Sequence, residues 1–170
     1  MKFIDAVIER EYRILSVLVP GCGILSAAAG AAALLGWAAD LPLLASFGAD
    51  RIPMAPSTAV FFVLYGGATV IIARFPSNRR VARAGILVGS GGVLLSLILF
   101  ILAARGIHPD AEYFGLRVVA GTVRGAQVGH MSPVTAFSFL LAGLSFVALL
   151  TSTPVRLWGI TLAGGLAFVI

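Results

Sequence analysis

The chain has 170 residues, 59% of them apolar and only 11% charged, with a formal net charge of +5 and a mean hydropathy of +1.04. That balance excludes a water-soluble domain, whose interior could not hide so much apolar surface. It also excludes a nucleic-acid surface, because the Lys and Arg residues are not interleaved with exposed aromatics and read instead as membrane-insertion signals.

Residues 1–13 read as a short amphipathic helix on the cytoplasmic membrane surface. Ile4, Val7 and Ile8 fall at helical spacing, and Glu9 and Arg13 are spaced to pair across one turn. Asp5, Glu9 and Glu11, together with the length of the apolar run behind them, argue against a cleavable signal peptide. Four stretches without a charged side chain follow, Ile14 to Ala39, Ile52 to Ala73, Ala84 to Ala104 and Met131 to Thr151. Each is close to the ~20 residues a helix needs to cross a bilayer. They are apolar on every face, which selects helices over alternating strands. The last segment, 157–170, is apolar to its end, yet at ~1.5 Å per residue it reaches only roughly 21 Å. It reads as the start of a truncated span, with a short re-entrant end as the alternative. The expected fold is thus an all-α membrane protein, a bundle of about five transmembrane helices. Cys22 is the single cysteine; it has no partner for an internal disulfide and reads as packing.

An internal repeat organises the chain. Met54-Ala-Pro-Ser-Thr-Ala-Val-Phe-Phe-Val-Leu-Tyr-Gly66 returns as Met131-Ser-Pro-Val-Thr-Ala-Phe-Ser-Phe-Leu-Leu-Ala-Gly143, 77 residues later. One period holds two spans, so both copies enter the membrane from the same side and the helical hairpins are parallel repeats. The units are the N-terminal helix 1–13, hairpin repeat 1 over 14–80, hairpin repeat 2 over 81–156, and a third repeat begun at 157–170. The third copy is expected to continue beyond Ile170. Orientation follows from the basic residues: Lys2, Arg10, Arg13, Arg74, Arg79, Arg80, Arg83 and Arg156 flank one side, against Arg51, Arg105, Arg117 and Arg124 on the other. This places the N-terminus in the cytoplasm.

Within the repeat, Pro56 and Pro133 suit the first turn of a helix, Ser132 suits an N-cap, and Thr58 and Thr135 can satisfy backbone groups at the helix start. Two readings follow: well-made helix ends, or an outward-facing site for a polar or anionic ligand between two converging N-termini. His108 and His130, the only histidines, fall at the outer ends of the third and fourth spans and join the candidate ligand-binding residues. Two ligands do not make a metal site, so neither a metal nor a cofactor is expected. Gly85, Gly89 and Gly92 give the third span a small-residue face for close helix packing, within one chain or between two. The loop from Arg105 to His130 carries Tyr113, Phe114, Val118 and Val119, enough apolar surface to pack back on the bundle.

Gly36-Trp37, Asp40-Leu-Pro-Leu-Leu44, Ile52-Pro-Met-Ala-Pro-Ser-Thr-Ala59 and Gly129-His-Met-Ser-Pro-Val-Thr-Ala-Phe137 together resemble the multi-pass N-terminal input region of bacterial sensor histidine kinases and related diguanylate cyclases. The resemblance spans about Leu15 to Thr151 and implies a sensory module in the bacterial inner membrane whose kinase or cyclase output lies in a separate downstream domain. No ATP-binding motif or phosphorylatable-histidine helix occurs in these residues, so no enzymatic activity is expected of them. The implied partners are the lipid bilayer, a second copy through the membrane helices, and an unidentified small-molecule or membrane-state stimulus. The alternatives are a small multi-pass transporter or a structural subunit of a membrane complex. Charge-free spans weigh against the transporter, which would normally carry polar or charged groups at mid-membrane.

Overall fold

The computed structural model describes residues 2–46, 48, 51–116, 122–123 and 126–151, with side chains described over 16–41, 43–46, 48, 51–116 and 128–151. Its elements are α1 (Lys2–Ala38), α2 (Pro42–Ser46), α3 (Pro56–Arg74), α4 (Arg79–Ala104), a 3-10 turn (Asp110–Tyr113), a two-residue antiparallel ladder of β1 (Thr122–Val123) and β2 (Ala126–Gln127), and α5 (Pro133–Leu150). Among the described residues the protein is all-helical apart from that ladder. Four helices are long and apolar enough to cross a membrane, over Ser16–Ala38, Pro56–Arg74, Arg79–Ala104 and Pro133–Leu150. The expected fifth span, 157–170, lies outside the described residues.

The four spans match the four uncharged stretches, with boundaries moved by capping. α3 begins at Pro56, not Ile52, because residues 52–55 run extended into the proline. α4 begins five residues before Ala84: the Asn78 side chain accepts the Arg80 amide at 2.9 Å, so the helix runs through its arginines before reaching apolar sequence. α1 runs unbroken from Lys2 through Pro20 to Ala38 and so includes residues 2–13.

Large apolar side chains cover the outside of the bundle as well as its core. Leu25, Leu87 and Val134 are 72%, 74% and 69% exposed, while Ser57, Ser96 and Ser145 are buried. Large apolar side chains facing outward suit lipid, which exerts no hydrophobic force to draw helices together; small residues and close contact must do so instead. α1 packs on α3 and α4 on α5, with α3 touching α4 between them. A Cβ on Gly66 of α3 would lie 2.6 Å from the Ala27 amide nitrogen and 2.6 Å from the Gly23 carbonyl of α1. Gly85, Gly89 and Gly92 of α4 are likewise buried within this chain. Side chains at the first two would meet Ile72 and Leu150, and Val147, at 2.7–2.9 Å, and the third lies against the Tyr65 hydroxyl.

At the end where α3 and α5 start, the core is Phe61, Leu99, Met131 and Ala136, extended by Phe139 stacked on Phe61 at 4.8 Å. α2 folds back on α1, so close to Gly36 that a Cβ there would meet the Ala45 nitrogen at 2.6 Å. The Trp37 indole N–H donates to the Met54 carbonyl at 2.8 Å, and the Met54 amide to the Ala45 carbonyl at 2.7 Å. These bonds pin the extended segment before α3 against the end of α1.

Candidate functional site

Two helix starts build the site. Pro133 opens α5, with the Ser132 Oγ accepting the Thr135 amide at 3.1 Å, which makes Ser132 the N-cap. Pro56 opens α3 without a side-chain cap bond. Thr58 and Thr135 then project into one cavity of about 410 Å³, walled also by His108, His130, Met54 and Met131. The structure therefore brings together four of the six candidate ligand-binding residues; Pro56 and Pro133 shape the helix starts and do not line the cavity. Gly85, Gly89 and Gly92 serve α4 packing in the bundle instead.

The histidines meet across the chain, with ring centroids 4.8 Å apart. What joins them is a residue that nothing in the sequence singles out, Glu112. It sits in the 3-10 turn and is 4% exposed, the one carboxylate buried among the described residues. Its Oε2 accepts the Met131 amide at 2.9 Å, and its Oε1 lies 3.8 Å from His130 Nδ1. The Met131 amide lies just before the Ser132 N-cap, so the carboxylate stands near the start of α5, where the helix dipole favours negative charge. Phe114 at φ 50° and Gly115 at φ 76° turn the chain sharply after this point, which lets the 3-10 turn tuck under the bundle end. Of the loop residues expected to pack back, Phe114 is 54% exposed and Tyr113 is half-buried. Val118 and Val119 lie outside the described residues.

Tyr113 shares a 2.5 Å hydrogen bond between its hydroxyl and His130 Nε2. Burial first, and then the neighbouring Asp110 and Glu112 carboxylates, push its phenol pKa up, so it holds its proton at neutral pH. His108 Nδ1 and His130 Nδ1 are buried without a hydrogen-bond partner. One ligand atom from each of His108, Glu112 and His130 lies within 4.8 Å of the other two.

Comparison with protein families, with curated proteins and with solved structures finds no match to this chain.

Chemically, the arrangement offers two imidazoles, a buried carboxylate and four hydroxyls, from Thr58, Tyr113, Ser132 and Thr135, at one end of an otherwise apolar bundle. It suits recognition of a small polar or charged species.

Proposed function

We propose that this chain is the membrane-embedded input module of a bacterial signalling protein, which receives its stimulus in the cavity between the starts of α3 and α5. The observation that carries this reading is the convergence of Thr58 and Thr135, equivalent positions 77 residues apart, with His108 and His130 on one cavity. A structural subunit has no need for such a polar site. A transporter would place charge or broken helices near mid-membrane, and the four spans here keep their charges at their ends.

The two hairpins, α1–α3 and α4–α5, are read as parallel copies. Supporting this, the repeat-equivalent glycines Gly66 and Gly143 each approach a glycine carbonyl of the preceding span, Gly23 and Gly89 respectively. In this reading the N-terminus lies in the bacterial cytoplasm and the cavity on the outer face of the inner membrane, an orientation that the excess of Lys and Arg on the N-terminal side supports. The module works as a homodimer through its lipid-facing helices, and the catalytic output belongs to a separate cytoplasmic domain.

Replacing Thr58 and Thr135 together with valine removes both hydroxyls at almost constant volume. In the natural gene product, this pair of substitutions is expected to shift the half-maximal stimulus of the downstream output by about tenfold or more, the equivalent of ~1.4 kcal/mol for two lost hydrogen bonds. Membrane insertion and protein level should not change. An unaltered response would reduce both threonines to helix-end residues.

A further inference from the structure

We infer that His108, Glu112 and His130 form a binding site for a first-row divalent cation of the zinc class. This assigns a ligand to the cavity proposed above as the stimulus site, and rests on that reading for its signalling consequence alone.

Two imidazoles with one carboxylate are a zinc ligand set that leaves a fourth tetrahedral position for water or an exogenous ligand. The same set is poor for Mg²⁺ or Ca²⁺, which take six or more oxygens. In this chain the ligand atoms come from three separate places: the segment after α4, the 3-10 turn and the segment just before α5. They lie within 4.8 Å of one another. Zinc ligands at ~2.0–2.1 Å on tetrahedral positions stand roughly 3.3 Å apart, so side-chain movements of about 1 Å close the shell.

Burial distinguishes this trio from a chance surface cluster. Glu112 is 96% removed from solvent (4% exposed), and the Nδ1 atoms of both histidines are buried with no hydrogen-bond partner. An orphaned imidazole nitrogen beside a buried carboxylate is costly unless something fills the gap between them. A divalent cation does so, accepting both nitrogen lone pairs and neutralising the carboxylate.

The groups around the trio orient it as second partners of metal ligands do. The Met131 amide holds Glu112 Oε2 and leaves Oε1 toward His130. The Tyr113 hydroxyl meets His130 Nε2; when Nε2 carries the proton and donates it to that oxygen, the Nδ1 lone pair is free for the metal.

The test uses the tag-free full chain carrying Cys22→Ser, purified in detergent, stripped with a chelator and titrated with Zn²⁺ alone by calorimetry and by metal analysis after desalting. One zinc per chain is expected, undiminished by millimolar Mg²⁺ or Ca²⁺. His108→Ala, His130→Ala and Glu112→Gln should each weaken binding by at least 100-fold, and Tyr113→Phe by about 10-fold. Glu112→Gln keeps an oxygen acceptor for the Met131 amide, so it carries the comparison if a histidine variant fails to fold by circular dichroism. No stoichiometric zinc on the folded chain, or zinc retained equally by Glu112→Gln and the histidine variants, would overturn the inference. Those results leave the valine-pair response untouched, so the metal assignment and the stimulus-site reading fail separately.

Discussion

Gly66→Leu is expected to destabilise the folded bundle by about 3 kcal/mol or more, because the new side chain would have to enter space already filled by the backbone of α1. Even the first added carbon would stand 2.6 Å from the Ala27 nitrogen and the Gly23 carbonyl oxygen. Those are backbone atoms, which cannot rotate aside as a side-chain tip can. The only relief is to separate α1 from α3, and in lipid no hydrophobic force opposes that separation once close contact is lost. Gly67, one residue on, has nothing within 4 Å of an added Cβ. Gly67→Ala should therefore be neutral or stabilising by up to about 1 kcal/mol through helix propensity. Unfolding of both variants in mixed micelles, followed by circular dichroism, distinguishes a crossing set by this contact from one that merely tolerates glycine. Equal midpoints for the two would refute the close crossing.

Glu112→Ala is expected to cost about 1–3 kcal/mol, the penalty of leaving the buried Met131 amide without its acceptor. The effect reaches beyond the loop because Met131 is 1% exposed and packs with Phe61, Leu99 and Ala136. Loosening the α5 start thus disturbs the core next to the cavity. Glu112→Gln retains an acceptor oxygen and removes a buried charge, so its cost should stay below about 1 kcal/mol. A glutamine variant as unstable as the alanine variant would show that the charge, and not the hydrogen bond, holds this end together. The same micelle-unfolding midpoints measure both.

The spans were legible because their signal is local. Uniform apolarity over about twenty residues needs no partner to be recognised, and prolines at the first helical turn with a serine N-cap report their role from adjacent positions. Thr58 and Thr135 were legible for a related reason, each lying two residues after a helix-opening proline in a motif that recurs 77 residues later; the meeting of His108 and His130 with them has no such local signal. The start of α4 was less legible: its three arginines masked a helix that Asn78 had already capped. Glu112 was not legible at all. Its burial depends on a 3-10 turn, on a left-handed Phe114 and on an amide nineteen residues away, and none of these leaves a periodic or compositional trace. An acidic residue in a loop looks solvated until the fold brings Met131 and the histidines to it. For the same reason the two histidines read as too few ligands for a metal, while the folded chain supplies the third.

The most direct measurement of the account is made on intact cells, with cysteines at positions 108 and 130 in a Cys22→Ser background and a short bifunctional thiol reagent that cannot cross the membrane. The ring centroids of His108 and His130 lie 4.8 Å apart, and the proposed orientation turns the site outward. An intrachain crosslink between the two cysteines is therefore expected, formed without permeabilising the cells and detected by mass spectrometry of the digested chain. Cysteines that react only after permeabilisation, or that label singly from outside and never link, would contradict it.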